Sequence, residues 1–251
     1  MKSLIINADD YGYTAGVSAG IRRAHLQGIV TSTSVMMTMP PARAELEILA
    51  TEAPAMDVGV HLVLTEGLPF RLPAFPSSSN LPTALAGIST EGLREEWQAQ
   101  IDAFLKTSLK LTHLDSHHHA AYRYEKALEV LLDLARQYRV PVRNPYPIPG
   151  LDAPFANRLF TASGVRHPGR FLDVFDGIQP SVDAFLEALG ALAEGTTEYM
   201  VHPGFVDEEL RRLSPNFSEP RAHELSVLTD PRLREAMRRI PVQLVDYAVC
   251  G

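Results

Sequence analysis

One cysteine stands in 251 residues, Cys250 beside the C-terminus. That excludes an intrachain disulfide and any zinc site built on several thiolates. Positive charge is also scarce: 23 Lys and Arg against 30 Asp and Glu leave a formal net charge of −7. Such a surface is a poor match to a phosphate backbone or an anionic lipid leaflet. Nucleic acid and membrane are therefore not expected as partners. No apolar run approaches the roughly 20 residues of a membrane span. Leu4-Ile5-Ile6 is cut off by Asp9-Asp10, too short for a secretory signal, so the expectation is a cytoplasmic protein. Without such a signal, Asn216-Phe217-Ser218 reads as a chance match to a glycosylation sequon. The first strand is followed by no glycine-rich dinucleotide turn, and the chain holds no phosphate loop of the glycine-lysine type.

Hydrophobic residues make up 45% of the chain and charged residues 21%, the balance of a globular protein with a core of its own. At this length one domain over residues 1–251 is expected. Branched apolar runs alternate with runs of helical periodicity from end to end. Strands are predicted at residues 3–8, 32–37, 57–62, 111–116, 140–143, 170–174, 198–201 and 242–246. A helix is predicted at 14–27, with Thr14 as its cap and Gly28 as its end. Others run through Ala42, Leu46 and Leu49, and within 86–109 on the stripe Leu93, Trp97, Ile101 and Phe104. Three more are predicted at 124–138, 182–193 and 230–239. Strand and helix alternating over a whole chain imply an α/β protein with a mostly parallel sheet. Roughly seven or eight such units suit a single (β/α) barrel, TIM-like and irregular in places, with an open doubly wound sheet as the rival. Residues 67–82, rich in Pro and Ser, and 144–154, with four prolines, read as loops over one end of the sheet.

The informative residues stand where those strands run out. They are Asn7-Ala8-Asp9-Asp10, His61, the run His113-Leu114-Asp115-Ser116-His117-His118-His119, Arg143-Asn144-Pro145-Tyr146, and His202-Pro203-Gly204-Phe205. In a parallel barrel they converge on the C-terminal ends of the strands, where such folds place their active sites. Two adjacent carboxylates repel each other unless positive charge lies beside them. A divalent metal held by one of the pair supplies that charge and leaves the other as a base. A carboxylate with two imidazoles suits zinc or another first-row divalent ion that keeps a position open for water. The bound water has a lowered pKa, and the free Asp can take its proton. An Arg beside that Asp would hold it ionised, and a His across the site would protonate a leaving amine. Together these are the parts of a metal-assisted hydrolysis of an amide or ester. Strand alternation puts His113, Asp115 and His117 on one face. His117, nearest the mouth, is best placed to reach Asp10 and His61, although spacing alone leaves the choice among the three consecutive histidines open.

The blocks Asn7-Ala8-Asp9-Asp10-Tyr11-Gly12, Gly28-Ile29-Val30-Thr31-Ser32-Thr33-Ser34, Gly59-Val60-His61-Leu62, Thr112 to His119 and His202-Pro203-Gly204-Phe205 resemble, in this order, those of the YdjC-like carbohydrate deacetylases. Chitooligosaccharide deacetylases are the best-known type in that family. The resemblance implies a barrel-like (β/α) fold. It also implies divalent-metal-dependent removal of acetyl groups from N-acetylated sugars of the chitooligosaccharide or diacetylchitobiose type, with release of acetate. It implies His61 and His117 as metal ligands, Asp10 as the third ligand and Asp9 as the catalytic base. Similarity in role to the wider polysaccharide deacetylases adds Arg143 as partner of the base and His202 as general acid. Tyr11, His119, Tyr146 and Phe205 are expected to contact the sugar. One ion is expected, magnesium or zinc, with cobalt or nickel as alternatives, because imidazole favours the later metals while carboxylate and water permit magnesium. The partner is a small acetylated sugar or oligosaccharide, and a homodimer is compatible with the sequence without being specified by it. Relatives often carry a further His two residues after the triple, where this chain has Ala120-Ala121, and the segment after His61 is short. Both departures bear on which sugar is bound before they bear on the reaction. The rival readings are a deacylase of another amide or a metal-dependent sugar isomerase on the same scaffold, and a non-catalytic sugar-binding relative.

Overall fold

The computed structural model describes residues 1–147, 154–173 and 181–250. Part of the loop expected at 144–154 and the end of the strand expected at 170–174 lie outside the described residues. The first strand, β1 (Lys2–Tyr11), carries Leu4, Ile5 and Ile6 with no exposure at all, as a strand covered on both faces of a parallel sheet requires. Helix α1 (Ala15–Gln27) follows, and the Thr14 hydroxyl accepts the Val17 N–H at 3.1 Å to cap it. Next come β2 (Ser32–Val35), α2 (Ala42–Glu52) and β3 (Asp57–Leu62), then α3 (Leu81–Gly87) and α4 (Thr90–Phe104). The Ser89 hydroxyl accepts the Gly92 N–H at 3.0 Å, so α4 starts afresh instead of continuing α3. Its stripe Leu93, Trp97, Ile101 and Phe104 is wholly buried, each side chain contributing about 1.5–3 kcal/mol of burial free energy.

The second half holds β4 (Leu114–Ser116), α5 (Ala120–Arg123), α6 (Glu125–Tyr138), α7 (Phe155–Ser163) and β5 (Arg170–Leu172). After these come α8 (Val182–Gly190), β6 (Gly195–Val201), α9 (Glu208–Leu213), α10 (Ser218–Leu228), α11 (Pro231–Arg239) and β7 (Val242–Leu244). Every strand pairing is parallel, in the order β4-β3-β2-β1-β6-β5, and β7 lies along the first residues of β1. The C-terminal ends of the strands therefore share one edge.

The sheet is barrel-like but does not close, which corrects the expectation of a single TIM-like (β/α) barrel to an open, half-barrel sheet. β4 and β5 end the ladder. The strand expected at 140–143 is reduced to one bridge, Leu114 with Val142, and a single Val142 N–H to Arg166 carbonyl bond at 3.0 Å. Pro141, Pro145 and Pro147 have no N–H to give a ladder, so pairing cannot extend there. Two glycines permit close approaches that matter to the site. A Cβ on Gly59 of β3 would stand 2.4 Å from the His113 ring. One on Gly20 of α1 would stand 2.5 Å from the Gly204 backbone, so the chain leaving β6 can lie directly on α1.

Candidate active site and metal centre

Strand alternation should send the adjacent Asp9 and Asp10 to opposite faces. The register prevents it. β1 pairs Ala8 with Thr33 and then Tyr11 with Val35, which inserts one extra residue on β1, and Asp10 takes the left-handed conformation at φ 70°. This bulge re-aims the side chain, and both carboxylates line one cavity while each is 2% exposed.

Asp10 Oδ1 lies 3.1 Å from His117 Nδ1 and 3.4 Å from His61 Nε2, yet this buried oxygen takes no well-formed hydrogen bond. Its partner Oδ2 accepts from Arg221 Nη2 at 2.5 Å. Burial works to raise the Asp10 pKa, but Arg221, His117 and His61 outweigh it and hold the carboxyl well below the usual range. His61 comes from the end of β3, and its Nδ1 lies 2.7 Å from Asp115 Oδ1. That contact orients the ring and leaves Nε2 directed at Asp10, the arrangement of a carboxylate-supported metal histidine. Burial disfavours the His61 imidazolium, but Asp115, Asp9 and Asp10 together lift its pKa to about 9. His117 opens a tight turn after β4 in which His118 and His119 have φ 53° and 52°, a strained local backbone of the kind found at functional sites.

Asp9 is held differently. Arg143 donates to both of its oxygens, Nη2 to Oδ1 at 2.6 Å and Nη1 to Oδ2 at 2.7 Å, and Asn7 Nδ2 adds a bond at 2.8 Å. Burial alone would raise the Asp9 pKa; Arg143 and His61 hold it far below the usual range. Arg143 is fully buried and also meets Glu198 at 2.7 Å and Asp115 at 3.0 Å. Four buried carboxylates thus share two guanidiniums, Arg143 and Arg221. The residual negative charge, the unbonded Asp10 Oδ1 and the two ring nitrogens beside it fit one divalent cation. Burial pushes the Glu198 carboxyl up to about 7, against the lowering effect of Arg143.

The YdjC-like protein family matches residues 3–239. The chain belongs to the YdjC-like family. It is 31% identical over 260 residues to a carbohydrate deacetylase of Thermoanaerobacter pseudethanolicus, covering 99% of each chain. It is 35% identical over 256 residues to a carbohydrate deacetylase of Geobacillus stearothermophilus, covering 97% of this chain and 96% of the other. Among solved structures, a protein of Enterococcus faecalis V583 described provisionally as a cellobiose-phosphate cleavage protein superposes with a TM-score of 0.87 at 32% identity. That superposition covers 100% of this chain and 99% of the other.

In this YdjC-like protein the cavity measures about 570 Å³ and gathers Asp9, Asp10, His61, His117, His119 and His202. His202 follows β6; its N–H donates to Glu224 Oε2 at 2.6 Å, and burial pulls its ring pKa down. His119 lines the cavity, its pKa pushed down to about 3 by burial. Arg143 stands behind Asp9. Three residues expected near the sugar lie elsewhere. The Tyr11 hydroxyl donates to the Glu45 carbonyl and accepts from Arg22, both at 2.7 Å, because the bulge at Asp10 separates its direction from that of the carboxylates. The Tyr146 hydroxyl donates to the Tyr122 carbonyl. Phe205 is 44% exposed outside the cavity, anchored by its N–H to the Gly16 carbonyl.

Sequence reasoning missed Arg221 and Glu224, which reach the cavity from α10, and Glu198 within β6. Helix α10 buries Ser218, Arg221 and Glu224 beside Leu225, Val227 and Leu228, so its apolar periodicity is weak. The available signals were a charged residue inside a buried strand and an Arg-Glu pair at i, i+3 followed by Leu225 and Leu228.

Proposed function

We propose that this chain is a metal-dependent deacetylase that hydrolyses the acetamide of a small N-acetylated sugar, of the chitooligosaccharide or diacetylchitobiose type, to acetate and the free amine. The observation that carries this reading is the unbonded Asp10 Oδ1, set between His117 Nδ1 and His61 Nε2 with an Arg-clamped Asp9 beside it. Asp10, His61 and His117 would hold the ion, with zinc, magnesium, cobalt and nickel as candidates. When bound, the ion supplies Lewis-acid polarisation of the acyl oxygen and of the attacking water.

Asp9, 3.8 Å from His61 Nε2, accepts a proton from that water as it attacks the acetyl carbon. Arg143 fixes the Asp9 plane and keeps it ionised until then. His202 delivers a proton to the departing nitrogen. Burial keeps its ring neutral beforehand, so the proton it delivers to the nitrogen is the one that Asp9 took from the water. His119 contacts the sugar from the cavity wall. The carbohydrate deacetylase names of relatives above 30% identity along nearly the whole chain support the reaction class.

The test is acetate release from diacetylchitobiose and from monomeric N-acetylglucosamine by metal-stripped protein with each ion restored. Release is expected only with metal. In Asp9→Asn it should drop by about 100-fold or more, the scale of a lost general base, while metal content stays at the wild-type level. Metal-loaded protein inactive on both sugars would overturn the substrate class. Full turnover by Asp9→Asn would remove Asp9 as the base.

A further inference from the structure

Nine large hydrophobic side chains stand exposed among the described residues, and Phe217 alone of them lines the cavity of the site. It is 65% exposed, whereas the carboxylates Asp9 and Asp10 in the same cavity are 2% exposed. Its N–H donates to the Ser214 carbonyl at 3.1 Å, which closes the turn between α9 and α10. Among the described residues its ring stacks on no other aromatic ring. Leu213 and Pro220 from the same segment line the cavity beside it, so this stretch forms an apolar lip above a charged interior.

An exposed phenyl ring at the mouth of a polar cavity loses free energy to water unless a ligand covers it. A pyranose is chemically suited to that position. Its faces present C–H groups that pack on an aromatic ring, and its rim presents hydroxyls that need hydrogen-bonding groups. Such groups line the same cavity at Ser214, His118 and Arg123. We propose that Phe217 is a sugar-stacking residue, its ring receiving the C–H face of a pyranose of the substrate while the acetamide reaches Asp9 and Asp10. The inference rests on the deacetylase reading and assigns a residue that sets its affinity for a sugar ring.

Phe217 is too exposed for its replacement to disturb the core. In Phe217→Ala the KM for diacetylchitobiose should rise about three- to tenfold at unchanged kcat, the size of one lost stacking contact. Phe217→Trp should restore the wild-type KM. A KM in Phe217→Ala within about twofold of wild type, less than 0.5 kcal/mol, overturns the proposal. A second readout needs no turnover. The single native tryptophan, Trp97, is wholly buried in α4, so Phe217→Trp adds an exposed indole whose emission reports on the lip. Titration with the disaccharide of glucosamine should shift that emission to the blue and saturate, and an emission unmoved by the sugar overturns the proposal. If wild-type protein released no acetate from any acetylated sugar, the deacetylase reading would fall. The titration would still decide whether Phe217 meets a sugar ring.

Discussion

Asp9 and Asp10 are identical in chemistry and adjacent in sequence, and two arginines from distant parts of the chain give them different work. Arg143 occupies both oxygens of Asp9, which fixes its plane. Arg221 occupies only Oδ2 of Asp10 and leaves Oδ1 to the two imidazoles. Removing Arg221 should therefore act on the metal before it acts on the base. Arg221→Gln is expected to weaken zinc affinity about 10- to 100-fold, as outer partners of metal ligands do, with Arg221→Lys between it and wild type. Competition against a chromophoric chelator measures this, and wild-type affinity in the Gln variant would show that Asp10 needs no such support. At this scale the strand-end residues were legible because polar and charged groups at the ends of apolar runs break the local pattern. Arg221 was not, because it sits inside a helix and its meaning depends on a carboxylate 211 positions away. Tyr11 misled for the converse reason: it is next to Asp10 in sequence, but a bulge lies between them.

At the scale of elements, β3, β4 and the turn after β7 enclose His113. Its ring stacks on Tyr247 at 3.8 Å, and Gly59 leaves the space it fills. Burial pushes the His113 pKa down to about 3, against an ordinary 6.5. A group whose folded pKa is depressed contributes stability that is complete above the unfolded value and is lost as pH falls toward the folded one. His113 should therefore destabilise the fold by about 1.4 kcal/mol per pH unit below pH 6.5. Urea unfolding at pH 7.5, 6 and 5 should show that slope in wild type and a shallower one in His113→Phe, which keeps an aromatic ring without the titration. Equal slopes would mean that folding does not lower the His113 pKa. Among elements, the long amphipathic helices α1, α4 and α6 were legible from periodicity. The short helices α5 and α9 were not, since four to six residues give too few turns to establish a period. The polar buried face of α10 concealed it as well.

Across the whole molecule, one edge of an open parallel sheet collects the side chains of β1, β3 and β4, of the chain after β6, and of helix α10. Binding a divalent ion there joins segments far apart in sequence, and an ion that prefers the folded state stabilises it by mass action. At a zinc concentration about 100 times its Kd the gain is about 2.7 kcal/mol, or a rise in Tm of about 5–10 °C for a chain of this size. Thermal unfolding with chelator and with zinc should show that rise in wild type and lose most of it in His117→Ala. An equal rise in both would remove His117 from the ligand set. Among the described residues no helix is long and apolar enough to cross a membrane. Alternating strand and helix, and the carboxylates and imidazoles at strand ends, were determined by sequence alone, because periodicity and polarity are local properties of a chain. The open sheet, the bulge that turns Asp9 and Asp10 to one side, and the division of two arginines between them were decided only by tertiary structure, because each depends on register and on contacts between residues that no local pattern connects.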